Sequence, residues 1–223
     1  MAIHKSYALK LGECVFRVHT KEDLSLTLHP DMEAFRIDEN ESPHIHIEVI
    51  QGVPEFKEPV KPLTNARYLP ELSEKEHTYY FYTLNRVGED FLIISGKEQA
   101  PKQTQRYAIS DPSFRNWKVY ISQVDDPGNC NPLSFPVGSL IFYYGVTARK
   151  GFMLHASGLN YHNRGYIFSG FSGVGKTTLS NFWLDKGARL INDDRLILMQ
   201  RGSTFNMFNS PMASVGGGSP LDL

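Results

Sequence analysis

The segment GFSGVGKTTL, Gly170 to Leu179, sets Gly170, Gly173, Gly175, Lys176 and Thr177 at the spacing G-x-x-x-x-G-K-[ST]. A polyphosphate is held by several backbone N–H groups aimed into one concavity. Glycines allow the torsions this needs and let the backbone come close to the oxygens. A helix starting near Lys176 adds its positive N-terminal end. At this spacing Lys176 reaches the β- and γ-phosphates and the Thr177 hydroxyl faces Mg²⁺. The expected contact set is Gly170, Ser172, Gly173, Val174, Gly175, Lys176, Thr177 and Thr178. The expected ligands are a purine nucleoside triphosphate, read as ATP, and Mg²⁺.

A second chemical signal lies downstream. In LINDDRLIL, Asp193 and Asp194 stand at the end of an expected strand, sixteen residues after Thr177. In a parallel sheet that end faces the ligand. Two carboxylates there divide the work of phosphoryl transfer. One holds Mg²⁺, and the other takes a proton from the attacking hydroxyl.

These residues need elements to position them. FMLHASGLNY and GYIFSG read as strands joined by NRG, and KTTLSNFWLDKG reads as a helix ending near Gly187. RLIND and DRLILMQ continue as strands. That order is the grammar of an α/β nucleotide-binding sheet. Val137 to Thr147 is apolar on most sides and reads as a buried helix, with a strand as the alternative.

Upstream the pattern is different. HIHIEVI (His44 to Ile50) alternates with period two, TYYFYTL and DFLIIS flank a turn at NRVGE, and NWKVYIS is another strand. GVPEFKEPVKPL reads as a loop. The fold class expected is α+β. A β-rich half, residues 1–130, precedes a P-loop α/β core, residues 131–223, with a soft boundary between Asp125 and Pro136. Little apolar periodicity follows Ser203, which suggests a core cut short at its C-terminus.

Composition narrows the function classes. The net charge is -1, which gives no electrostatic case for nucleic acid or an anionic membrane. The N-terminus is too polar for a signal peptide, and no apolar run is long enough to span a bilayer. The expected location is the cytoplasm. Cys14 and Cys130, the two cysteines, read as reduced thiols, with one disulfide as the alternative. His44, His46 and Glu48 share one strand face. They read as an exposed polar face more readily than as a metal site. The eleven tyrosines and fourteen phenylalanines lack interleaved basic residues and read as β core.

The stretch from Gly151 to Leu198 resembles the catalytic core of the HPr kinase/phosphorylase family, within a superfamily that includes the ATP-dependent phosphoenolpyruvate carboxykinases. The shared features are a strand carrying histidine, the glycine loop, a helix ending in K-G, and a strand closing in D-D-R. The resemblance implies that His155 lies near the phosphates. Lys176 and Thr177 would be the phosphate lysine and the metal hydroxyl, Asp193 the metal-side carboxylate and Asp194 the catalytic base. Phe171 stands where the family has an acidic residue. No segment after Leu198 matches the family's downstream glutamate.

Three functions are carried forward. The first is an ATP-dependent, HPr-kinase-like serine kinase with Asp194, Lys176 and His155 as catalytic groups. Its acceptor would be a hydroxyl on a protein or small molecule. The second is a nucleotide-sensing module without catalysis. The third is a carboxykinase-like enzyme on a small organic acid. The β-rich half is a candidate for partner recognition, and oligomerisation is left open.

Overall fold

A computed structural model describes residues 5–68, 80–97, 105–122, 130–171 and 173–212. The chain is β-rich. Among the described residues the strands form two sheets, accompanied by three short helices.

The first sheet holds ten strands. They are β1 (Ser6–Leu11), β2 (Cys14–Thr20), β3 (Arg36–Ile37), β4 (Ile45–Gln51), β5 (Val60–Pro62), β6 (Arg67–Tyr68), β7 (Tyr80–Val87), β8 (Asp90–Lys97), β9 (Arg106–Ser110) and β10 (Asn116–Ile121). Their order is β3-β1-β2-β4-β10-β9-β8-β7-β5, and β6 also pairs with β7. β4 runs parallel to both β2 and β10, while the other pairs are antiparallel. The period-two reading of β4 holds: Ile45, Ile47 and Val49 are buried, while His46 is exposed and Glu48 half-buried. No group of three metal-ligating side chains is found among the described residues. Glu48 is held by Lys21 at 2.8 Å.

Several elements depart from the sequence reading. Val60–Pro62, expected within a loop, is a short edge strand on β7, an edge position that tolerates Pro62. The β1–β2 hairpin and β9 were not anticipated. Their buried residues run almost continuously (Tyr7, Ala8 and Leu9; Cys14, Val15 and Phe16), which hides the alternation.

The second sheet contains β11 (Gly151–Tyr161), β12 (Arg164–Ser169), β13 (Arg189–Asn192), β14 (Arg195–Arg201) and β15 (Thr204–Phe208). Its order is β12-β11-β14-β15, with β13 also on β11. Every pairing is antiparallel, which corrects the parallel sheet expected from the strand–helix–strand order. The physical reason lies at His162 and Asn163. Both take positive φ, 51° and 58°, and close a two-residue hairpin that turns β12 straight back along β11. β12 and β13 are therefore parallel to each other only across the intervening β11. β15 is a further strand in the segment expected to lack periodicity.

The helices are α1 (Pro30–Glu33), α2 (Val137–Thr147) and α3 (Lys176–Leu184). α2 buries Val137, Ile141, Phe142 and Val146. It lies in one core with Phe16, Ile45 and Trp117 of the first sheet and Ile197 and Met199 of the second. Phe16 meets Phe142 edge-on at 5.2 Å between ring centroids. Cys14 and Cys130 are free and buried in this core, and burial pushes the Cys14 thiol up to about 12. No helix among the described residues is long and apolar enough to cross a membrane.

Close packing of α2 depends on Gly138. A Cβ added there would stand 2.1 Å from the Leu133 carbonyl oxygen, which is backbone and cannot swing aside. Gly138→Ala is expected to lower the unfolding free energy by about 1–3 kcal/mol, the range for overpacking a core. A urea melt showing a loss below ~0.5 kcal/mol would contradict this account of the helix.

Candidate functional site

The long strand β11 organises the site. On one side it pairs with β12, with Ala156 opposite Ser169. On the other side β13 and β14 run in line, broken at Asp193 and Asp194. Ala156 donates its N–H to the Asp194 carbonyl at 3.0 Å. Ser169, the last residue before the glycine loop, and Asp194 thus flank the same residue of β11. With strands ~4.8 Å apart, the two backbones are about 10 Å from each other. The aspartates lie at a bend within a broken strand rather than at the free end of a parallel one.

The loop after β12 leads directly into α3. Gly173 and Gly175 take positive φ, 79° and 95°, and open space surrounds the place of a Cβ at each. Gly175 is the N-cap of α3 and contributes no side-chain bond. The first-turn N–H groups of a helix have no partner within it, so the amides of Lys176, Thr177 and Thr178 are available to an anion. The Lys176 ammonium folds back onto its own loop, donating to the carbonyls of Gly170 at 3.0 Å and Phe171 at 3.2 Å. Val174, Thr177 and Thr178 are exposed. Ser172 lies outside the described residues.

α3 is fastened to β11 by hydroxyls. Ser180 donates to the Lys176 carbonyl at 3.0 Å, and its oxygen lies 2.6 Å from that of Ser157, both fully buried. Trp183 on the same helix packs on Tyr161, Tyr166 and Phe168, with centroids 4.7–6.2 Å apart. Ser157 therefore marks the face of β11 turned towards α3. His155, two residues earlier, points to the same face.

His155, Asp194 and Arg195 form one cluster. His155 Nδ1 is 2.9 Å from Asp194 Oδ1, and Arg195 Nη1 donates to the same oxygen at 2.9 Å. Arg195 also contacts His155 Nδ1 directly. The Asp194 side chain is 16% exposed and that of His155 46%, so the carboxylate is sheltered while the imidazole faces solvent. Asp193 is half-buried and has no ion pair or side-chain hydrogen bond among the described residues. The structure thus joins His155, Asp194 and Arg195 in one cluster, on the opposite edge of β11 from the strand that leads into the loop carrying Lys176 and Thr177.

Sequence reasoning missed Asn192. Its Oδ1 accepts from the amides of Asp194 at 2.7 Å and Arg195 at 2.8 Å. Asparagine before a turn is a known signal for such a bond, but the adjoining D-D-R drew the reading.

The model of the phosphoenolpyruvate carboxykinase family matches residues 84–213, more than half of the chain. The chain belongs to the phosphoenolpyruvate carboxykinase family. Membership implies ATP-using phosphotransfer of the carboxykinase type and a nucleotide partner. Comparisons with curated proteins and with solved structures return no match. The match begins at Leu84 in β7, so it takes in the last strands of the first sheet as well as the glycine loop and the aspartate bend.

Proposed function

We propose that this chain is an ATP-dependent phosphotransferase that passes the γ-phosphoryl to a hydroxyl acceptor, in the manner of the HPr-kinase-like serine kinases. The observation that supports this most is the convergence of an open glycine loop and a sheltered carboxylate, Asp194, on one residue of β11. In this reading the amides of residues 173–178 bind the phosphates. Lys176 leaves the Gly170 and Phe171 carbonyls to meet the β- and γ-oxygens. Asp194 accepts the proton of the acceptor hydroxyl, and His155 orients that carboxylate.

The residues fit Mg²⁺ as a nucleotide-borne ion. Thr177 offers an exposed hydroxyl at the helix start, and Asp193 a half-buried carboxylate without an ion pair among the described residues. Two protein oxygens suffice for Mg²⁺, which takes its remaining ligands from phosphate and water. Once bound, the ion supplies neutralisation of the charge spread over the transferring phosphate. The first sheet, with residues 1–130, is the candidate surface for recognising an acceptor.

Family membership favours a second reading, transfer to the enol oxygen of a small keto acid as it loses CO₂. The two readings separate in one experiment. The protein is incubated with Mg²⁺ and γ-labelled ATP, in parallel with a panel of serine-containing proteins and peptides and with oxaloacetate. Label in acid-stable phosphoserine supports the hydroxyl acceptor. Label in phosphoenolpyruvate, with stoichiometric CO₂ release, supports the carboxykinase reaction and overturns the first reading. Bound Mg-ATP with no transfer in either arm leaves a nucleotide-sensing module and overturns both.

A further inference from the structure

We propose that Asn192 is a positioning residue that aims the Asp194 carboxylate and ties that aim to the chain segment at 209–212. The inference rests on the reading of Asp194 as the proton acceptor.

Asn192 ends β13 and is 9% exposed. Just after it the strand breaks, and the amides of Asp194 and Arg195 need partners at a half-buried bend. Both are taken by Asn192 Oδ1, at 2.7 and 2.8 Å. The other end of the side chain is also engaged. Nδ2 donates to Asn209 Oδ1 at 2.6 Å and reaches the Ser210 carbonyl at 3.4 Å. With two bonds accepted and two donated, the four hydrogen-bonding positions of the amide are filled. Its rotation is therefore coupled to both segments.

The far segment is stitched to the bend independently. The buried Ser210 hydroxyl donates to the Arg195 carbonyl at 2.8 Å, and the Ser210 amide donates to Asn209 Oδ1 at 2.8 Å. The backbone of residues 194 and 195 is thus gripped from two sides. Those two residues carry the carboxylate and the guanidinium that meet at 2.9 Å beside His155. A turn of the Asp194 peptide would swing both groups together. A misplacement of ~1 Å in a reacting group costs up to about 10²-fold in rate, so the amide can control catalysis without touching substrate.

The test compares wild type, Asn192→Ala, Asn192→Asp and Asp194→Asn. Steady-state hydrolysis of Mg-ATP, with water as acceptor, is corrected for the folded fraction, and amide hydrogen exchange is followed at residues 194 and 195. N192A is expected to lower kcat by about 10- to 100-fold, leave the KM for Mg-ATP within ~2-fold, and speed exchange at both amides. N192D keeps an acceptor oxygen for the amides of residues 194 and 195 but turns its second oxygen towards Asn209 Oδ1 and the Ser210 carbonyl, so it is expected to restore part of the protection while kcat stays low.

If N192A retains wild-type kcat per folded molecule while D194N is inactive, the positioning role is overturned and the base stands. Unchanged exchange at residues 194 and 195 in N192A overturns it as well. A wild type that binds Mg-ATP without turning it over, or a D194N as active as wild type, removes the base and the inference with it.

Discussion

Asp194→Asn is expected to reduce phosphoryl transfer by about 10²- to 10⁴-fold, the usual contribution of a positioned general base. Asparagine keeps the shape of the side chain and one acceptor oxygen, so the contacts with Arg195 and His155 persist in weakened form. What it loses is the capacity to take a proton. Mg-ATP affinity should change little, because the proposed reading rests the phosphates on the glycine loop rather than on this carboxylate. Stability should also change little. Arg195 and His155 are 30% and 46% exposed, and ion pairs open to water contribute at most about 1 kcal/mol. Single-turnover transfer, calorimetry and a thermal melt on one preparation separate the three quantities. A mutant that transfers phosphate at wild-type rate would show that the proton leaves by another route.

Lys176→Ala is expected to weaken Mg-ATP binding by ~10- to 150-fold, equivalent to about 1.5–3 kcal/mol for charge-assisted bonds to phosphate. The structure gives this prediction its control. Among the described residues the ammonium bonds to the carbonyls of Gly170 and Phe171 alone, in a loop exposed to water. Its removal therefore leaves no buried group unsatisfied, and the melting temperature should hold within a degree or two. Weak binding by a protein of unchanged stability would place the lysine at the phosphates. Equal Mg-ATP affinities for mutant and wild type would mean that the loop does not hold the nucleotide.

Much of the site was legible in the residues, for reasons of short range. A glycine loop, its lysine and the first turn of the following helix occupy ten consecutive positions, and backbone torsion and helix polarity act over that distance. β4 was legible because one of its faces is buried and the other wet, so its side chains alternate. β1, β2 and β9 were not, because buried residues crowd both of their faces and erase the period. β15 escaped notice for a related reason. It is a partly exposed edge strand whose place depends on β14, not on its own composition.

The sequence by itself determined the chemistry on offer: a glycine-rich loop ending in a lysine, two adjacent carboxylates and a histidine on a strand. Those are properties of residue type and local spacing. Only the tertiary structure decided how they meet. The hairpin at His162 and Asn163 makes the sheet antiparallel and lays β12 on one side of β11. α3 then carries the chain over to the other side, where the strand breaks at the aspartates. Asn192, Asn209 and Ser210 hold that break through hydrogen bonds spanning 15 to 18 residues. Such bonds depend on two segments being brought together by the sheet, and no local pattern in either segment encodes them.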